Sequence, residues 1–215
     1  MSIDTNRWNR IRYTLIAPVY DRVVGFARQR RRSIGLLELR PGERVLIVGV
    51  GTGADLPCLP EDVEVHAIDI TPAMVERTRR RARMLGREVE AVVGDAQALD
   101  YPDASFDAVV LHLIVAVAPD GRAVLEEAAR VLRPDGRAVV FDKFAAEGRR
   151  PSLFRRALNL VANVVATDIT RQLGPLVDGT GLEIVRREPA ALGRAFEIAL
   201  LRKASGGRGA GRGSP

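Results

Sequence analysis

The stretch VLIVGVGTGAD, residues 45–55, decides the fold of this 215-residue chain. It is an apolar run that ends at three alternating glycines, Gly49, Gly51 and Gly53, which is typical of a buried strand turning tightly into a helix. Glycines at these places let the backbone approach a ligand closely. The stretch therefore predicts a nucleotide-binding loop, and it satisfies both Gly49-x-Gly51-x-x-Ala54 and Gly49-x-Gly51-x-Gly53.

The rest of the chain alternates in a way that suits such a loop. Apolar runs predict strands over 44–48, 63–68, 88–93, 106–111 and 137–141, with helices over 72–86 and 121–133 between some of them. Two further strands, 181–188 and 194–203, have no helical pattern between them and predict an antiparallel hairpin at the sheet edge. We therefore predict an α/β protein with a doubly wound, mostly parallel, seven-stranded sheet.

The two ends of the chain differ from this middle. Apolar residues at helical steps over residues 5–35 predict amphipathic helices divided at Pro18, and residues 152–173 predict another basic amphipathic helix. The tail from 204 to 215 has too few apolar residues to offset its ordering entropy, so we expect it to be disordered. The predicted organisation is N-terminal helices over 1–40, one ligand-binding domain over 41–203 and a basic tail over 204–215.

The net charge of +6 is carried by the ends. Residues 1–40 hold nine lysines and arginines against three acids, residues 201–215 hold four against none, and the middle holds 20 against 24. This distribution disfavours duplex nucleic acid as a partner and favours contact of the ends with an anionic membrane surface. The single cysteine and two histidines make a disulfide or a zinc site unexpected. Since the sequence shows no membrane-spanning run and no signal peptide, we expect a cytoplasmic protein that can be peripheral to the inner face of the membrane.

Two predicted strand ends and the predicted hairpin bear on which nucleotide the loop binds. Asp69 is placed to accept hydrogen bonds from ribose hydroxyls, which NAD and S-adenosylmethionine share. Asp95 and the small Ala96 could meet the amino edge of an adenine, where a dehydrogenase usually has an apolar wall. Together with the antiparallel hairpin, these residues favour S-adenosylmethionine over a nicotinamide cofactor.

The motifs RVLIVGVGTGADLP, AIDITPAMVERTRRRA, GDAQALDYPDASFDAVVL and VAPDGRAVLEEAARVLRPDGRAVVFDKF resemble those of class I S-adenosylmethionine-dependent methyltransferases over roughly residues 43 to 145. With IAPVYDRVVGFAR before them, the sequence is most similar to bacterial phosphatidylethanolamine N-methyltransferases and the related quinone C-methyltransferases. The resemblance implies the Rossmann-like fold and S-adenosylmethionine as cofactor. The cofactor-binding residues that it implies are Tyr20, Gly49, Gly51, Gly53, Asp69, Ile70, Met74, Asp95, Ala96, Leu111 and His112.

One position departs from the family pattern. Ile47 stands where an acidic residue commonly helps to hold the cofactor's ammonium group. Asp55, at the start of the next helix, could compensate or could only cap that helix. The departure keeps open a non-catalytic protein that binds the cofactor and interacts through its basic ends.

An ammonium acceptor must lose a proton before it is methylated, and Asp142, His112 and Tyr20 are the catalytic candidates. Arg155, Arg156 or Arg171 could pair with a lipid phosphate. We therefore predict methylation of the ethanolamine headgroup of phospholipid. The alternatives are C- or O-methylation of a quinone or another small molecule, the non-catalytic protein and, as the weaker rival, a nicotinamide dehydrogenase.

Overall fold

The computed structural model describes residues 26–145, 171–191 and 196–204. Its helices are α1 (Ala27–Gly35), α2 (Pro72–Met84), α3 (Gly121–Val131) and the short α4 (Leu173–Val177). Its strands are β1 (Arg44–Val48), β2 (Glu64–Asp69), β3 (Glu90–Val93), β4 (Phe106–His112), β5 (Leu132–Lys143), β6 (Leu182–Ala191) and β7 (Phe196–Lys203). The helices predicted before residue 26, most of the helix predicted over 152–173, and nearly all of the predicted tail lie outside the described residues.

The seven strands form one sheet in the order β3-β2-β1-β4-β5-β7-β6. Strands β1 to β5 pair in parallel, whereas β7 runs antiparallel to both β5 and β6. The predicted fold class and the C-terminal hairpin are thus confirmed. Because the chain crosses over in opposite directions on either side of the β1–β4 pair, the carboxyl ends of these two strands border the crevice where such sheets bind ligands.

The start of β5 differs from the sequence-based prediction. The strand begins at Leu132, directly after α3, and not at Arg137. Leu132 pairs with Phe106 and Arg137 with Ala108, so five positions of β5 lie opposite two of β4. Asp135-Gly136, a pair of residue types that is typical of turns, therefore lies in a bulge within the strand, and Asp135 takes the left-handed conformation with a φ of 62°.

Apolar side chains cover both faces of the sheet. On one face α3 and α4 pack against Leu46, Val109 and Val140, and on the other α1 packs through Ile34 in a cluster that also holds Ile47 and Val139. These residues are buried because strands of a parallel sheet meet helices on both sides. None of the helices in the described ranges is long and apolar enough to cross a membrane.

Candidate functional site

The glycine loop follows β1 at the crevice. Gly49, Gly51 and Gly53 have φ values of 70°, 57° and 76°, a region in which side chains with a Cβ are strained. A Cβ on Gly49 would also lie 2.9 Å from two side-chain carbons of Ile114. The loop is fixed from α2, because the Thr78 hydroxyl donates to the carbonyl oxygen of Gly51 at 2.9 Å. The three glycines therefore let the loop follow this path without backbone strain.

Asp69, the last residue of β2, lies beside this loop. Its two carboxylate oxygens accept hydrogen bonds from the backbone N–H groups of Gly51 and Thr71, both at 2.9 Å. Burial raises the pKa of Asp69, and the two N–H donors oppose that rise. The carboxylate is thus held rigidly, and each oxygen has further lone pairs with which to accept from a sugar hydroxyl.

The third strand end supplies the far wall of the cleft. Asp95, Ala96 and Gln97 line it, and Ile70 and Met74 form an apolar side. The carboxylate of Asp95 accepts from the backbone N–H of Gln97 at 2.9 Å, which fixes the turn after β3. This end therefore combines an apolar surface with a carboxylate, as the sequence predicts for a site that receives adenine.

A buried hydrogen-bond network closes the opposite end. Arg30 Nη1 donates to both carboxylate oxygens of Asp55 at 2.8 and 2.7 Å. Nδ1 of His112 lies 2.7 Å from Asp55 Oδ1, and its Nε2 lies 2.9 Å from the Ser33 hydroxyl oxygen. Because an ionised carboxylate only accepts, Nδ1 carries the hydrogen in neutral His112 and Nε2 accepts from Ser33. The network ties α1 to the glycine loop and to the end of β4.

The network answers whether Asp55 caps a helix. Asp55 precedes a 3-10 turn (Leu56–Cys58) but makes no side-chain capping bond there. Burial alone would raise the pKa of Asp55, but His112 and Arg30 beside it hold that pKa well below its usual range. Asp55 is therefore an ionised carboxylate with buried partners. Ile47 is fully buried in the apolar cluster beneath α1, where a carboxylate would be costly.

The loop after β4 forms the remaining wall, and two charged side chains hold it. Asp142 accepts from the backbone N–H of Ala116 at 2.9 Å, and the guanidinium of Arg171 donates to the carbonyl oxygens of Val115, Ala118 and Pro119 at 2.7 to 2.9 Å. Leu113, at the start of this loop, takes a left-handed φ of 58°. The loop's position therefore depends on groups that lie outside the cleft.

These contacts correct two expectations. Asp142, one of the predicted catalytic residues, is fully buried within β5 and is not among the cleft-lining residues, and burial raises its pKa to about 6. Strand alternation points its side chain under the loop, where it bonds to backbone. Arg171 engages backbone carbonyls in this structure, which argues against the predicted phosphate contact.

The structure brings most of the predicted cofactor residues to one cleft of about 920 Å³, counting its open mouth. Those that line it are Gly49, Gly51, Asp69, Ile70, Met74, Asp95, Ala96 and His112. Gly53 does not line the cleft but permits the backbone conformation of the loop. Leu111 is fully buried in the core. Tyr20, Arg155 and Arg156 lie outside the described residues, so their predicted roles stay predictions.

Sequence reasoning missed several residues of the site. Arg30, Gln97 and Ile114 line the cleft, and Ser33 and Thr78 hold its parts together. Arg30 stands in a run of arginines, and the composition of that run alone does not indicate which arginine is buried. Spacing within α1 carries a signal, because Arg30, Ser33 and Ile34 share one helical face.

The described residues fit S-adenosylmethionine. A nucleoside needs an apolar wall and a carboxylate for its ribose, which Ile70 and Asp69 provide, and its amino-acid tail needs the close backbone approach that the glycine loop allows. No group of histidine, cysteine, aspartate or glutamate side chains within the described ranges could hold a metal ion.

Comparison with known proteins agrees with this geometry. Residues 45–136 match the family described as a methyltransferase domain. The chain is 34% identical to a phosphatidylethanolamine N-methyltransferase of Cereibacter sphaeroides over 169 residues, which cover 78% of this chain and 83% of that protein. It is also 34% identical to a demethylmenaquinone methyltransferase of Thermus thermophilus over 177 residues, which cover 78% of this chain and 77% of that protein.

The solved structures show the same fold. A SAM-dependent methyltransferase from Aquifex aeolicus superposes with a TM-score of 0.63 at 20% sequence identity, covering 81% of this chain and 89% of that one. At that identity the likeness concerns the fold alone. Fold and sequence relatives thus agree with the four strand-end motifs.

Proposed function

The chain belongs to the class I S-adenosylmethionine-dependent methyltransferases, and we propose that its methyl acceptor is the ethanolamine headgroup of phosphatidylethanolamine. The observation that carries the proposal is the similarity to the Cereibacter sphaeroides enzyme, which extends over 83% of that protein and so beyond the cofactor-binding motifs. The basic ends of the chain support it, because they suit an anionic membrane surface. The enzyme would then act as a peripheral protein on lipid headgroups.

The cofactor supplies a methyl group already activated on a sulfonium, so the residues of this chain have to bind, orient and exclude water. Asp69 would hold the ribose, Asp95 the adenine edge, and the glycine loop the amino-acid portion. His112 lies at the end of β4, where the acceptor would approach. Leu113, Ile114 and Val117 add an apolar wall on that side, which suits an acceptor with a lipid body.

The geometry favours positioning over proton transfer for two of the catalytic candidates. His112 is fully buried at its side chain, and both ring nitrogens already have partners. It could accept a proton at Nε2 only after Ser33 gave up its hydrogen bond. Asp142 is separated from the cleft by the loop that it holds. Among the three, Tyr20 remains a proposal from the resemblance alone.

The test is methyl transfer from labelled S-adenosylmethionine to vesicles. One vesicle contains phosphatidylethanolamine and phosphatidylglycerol, and the control replaces the phosphatidylethanolamine by phosphatidylcholine at the same anionic content. We expect label in methylated ethanolamine lipids from the first vesicle alone, and its loss in Asp69→Ala, which removes the proposed ribose contact. Labelling of no ethanolamine lipid, with the cofactor still bound, would refute the proposed acceptor.

A second candidate is C-methylation of a quinone. The observation that favours it is the equal identity to the Thermus thermophilus demethylmenaquinone methyltransferase. Vesicles that carry demethylmenaquinone instead of phosphatidylethanolamine separate the two candidates, because label in the quinone would support this one. Sedimentation with anionic against neutral vesicles tests the membrane contact separately.

A further inference from the structure

The loop that follows β4, residues 113–119 and from here on called the wall loop, forms one side of the cofactor cleft. Its cleft-lining residues are Leu113, Ile114, Val117, Ala118 and Pro119. Ile114 also lies against the glycine loop, because a Cβ added to Gly49 would come within 2.9 Å of its side chain. A cofactor in the cleft therefore packs against the wall loop, and its affinity depends on the position of that loop.

Groups outside the cleft hold the wall loop in place. Leu113 has a left-handed φ of 58°, which is unfavourable for a residue with a Cβ, so the loop needs contacts that keep it in this conformation. Arg171 binds three of its carbonyl oxygens, and Asp142 accepts from the backbone N–H of Ala116 at 2.9 Å. Arginine stays protonated in proteins, whereas a carboxylate can take up a proton. Of these two contacts, only the one from Asp142 can therefore change with pH.

The carboxylate of Asp142 is enclosed by backbone donors. Its Oδ2 accepts from Ala116, and its Oδ1 accepts from the N–H of Lys143 at 2.8 Å. The N–H of Val115 also acts on the carboxylate and lowers its pKa. An ionised carboxylate can serve all these donors because it only accepts, whereas a protonated one directs a hydrogen from one of its oxygens. A proton on Asp142 therefore weakens its contact with the wall loop.

Few charged side chains among the described residues face Asp142. On β7, Glu197 lies opposite it in register and is paired with Arg187. Lys143 follows it on β5, and the charge of this lysine lowers its pKa. His112, at the end of β4, bonds to α1 on the opposite face of the sheet. The ionisable side chains of α3 pair with one another, and the wall loop and α4 have none. Burial is the largest influence and raises the pKa of Asp142 to about 6.

We propose that the ionised carboxylate of Asp142 holds the wall loop where the cofactor needs it, so that uptake of a proton by Asp142 weakens the binding of S-adenosylmethionine. Bound cofactor in turn favours the ionised carboxylate, because coupling between two binding events is reciprocal. Asp142 does not line the cleft and acts through the loop, so it is a positioning residue. The inference goes beyond the proposed function, since it concerns the cofactor alone and does not depend on the methyl acceptor.

The test measures the dissociation constant of S-adenosylmethionine by titration calorimetry on the full chain, without lipid, from pH 8 to pH 5. The unchanged protein is compared with Asp142→Asn, which cannot ionise and places an N–H donor where one acceptor oxygen was. We expect this variant to bind about tenfold more weakly than the unchanged protein at pH 8, because it loses a hydrogen bond to a charged group. At pH 5 the difference should shrink to about twofold, because most of the unchanged protein then carries a proton on Asp142.

Asp120→Asn is the matched control. Asp120 directly follows the wall loop, is exposed and caps α3, which asparagine does equally well. This variant should bind like the unchanged protein at every pH. Ionisation of the cofactor, of Asp69 or of His112 affects all the proteins alike, so the ratio of dissociation constants at each pH isolates the effect of Asp142.

Circular dichroism at each pH checks that the variants are folded, and Asp142→Ser, which cannot ionise either, replaces Asp142→Asn if that variant does not fold. If neither folds, the unchanged protein decides, and its affinity should fall about fivefold from pH 8 to pH 5. A flat profile in the unchanged protein, equal binding by Asp142→Asn at pH 8, or a ratio that stays constant down to pH 5 would overturn the inference. The lipid-labelling experiment keeps its meaning in each case.

Discussion

Replacing Asp55 by asparagine should destabilise the protein more than any comparable change at a surface ion pair. Asparagine keeps the shape of the side chain but removes the negative charge with which the buried Arg30 guanidinium pairs. Breaking a buried pair from one side typically costs about 3–5 kcal/mol of unfolding free energy. For a chain of this size such a loss is a large part of the total stability.

The assay is urea unfolding at pH 7 followed by far-ultraviolet circular dichroism. Asp107→Asn is the matched control, because Asp107 also accepts from an arginine, Arg133, at 2.6 Å, but both side chains are partly exposed. Loss of this partly exposed ion pair should reduce the unfolding free energy by about 1 kcal/mol. The reasoning fails if Asp55→Asn lies within about 1 kcal/mol of the unchanged protein, since a buried pair cannot be lost at that cost.

The same variant has a characteristic pH dependence. The pKa of Asp55 in the folded protein is held below its ordinary value of 3.8, so its stabilising contribution is complete above that value and is lost as the pH falls through the folded pKa. The difference between the unchanged protein and Asp55→Asn should therefore be constant from about pH 8 to pH 5 and shrink below about pH 4. A difference that grows on acidification would contradict this assignment.

Two further predictions follow from the same geometry. Gly49→Ala should cost about 1 kcal/mol more unfolding free energy than Gly51→Ala, because both glycines have positive φ but only a Cβ on Gly49 would clash with Ile114; equal losses in urea unfolding would contradict it. Asp142 has its folded pKa raised to about 6 by burial, so the folded state takes up a proton that the unfolded state does not. The unchanged protein should therefore gain about 1 kcal/mol relative to Asp142→Asn as the pH falls from 7 to 5, and a change of the opposite sign would refute the pKa shift.

Local patterns predicted most of the sheet. Strand β1 was predicted to its last residue, and the hairpin was predicted because no helical period separates its strands. Asp69 and Asp95 could be placed since parallel strands end at a common edge. The start of β5 could not be predicted in this way, because Pro134 and Gly136 indicate a turn. Only the pairing of β5 with β4 shows that these residues form a bulge within the strand.

The buried network at the His112 end of the cleft could not be predicted from the sequence, for a different reason. Arg30, Asp55 and His112 are 25 and 57 residues apart along the chain, so no local period connects them. The sequence makes Asp142 a catalytic candidate, but strand alternation decides which side of β5 its side chain takes, and an error of one residue reverses that side. Which of several arginines is buried is likewise fixed by how α1 packs on the sheet.

The network between Ser33, Asp55 and His112 also bears on the order in which the protein folds. Ser33 and His112 are 79 residues apart, so their contact closes a long loop and carries a large entropy cost until the strands between them are paired. Contacts of this kind are expected to form after the folding transition state, with φ-values near zero for substitutions at Ser33. Such substitutions would increase the unfolding rate and leave the folding rate nearly unchanged. The lifetime of the folded state can therefore change without a change in how fast the protein folds.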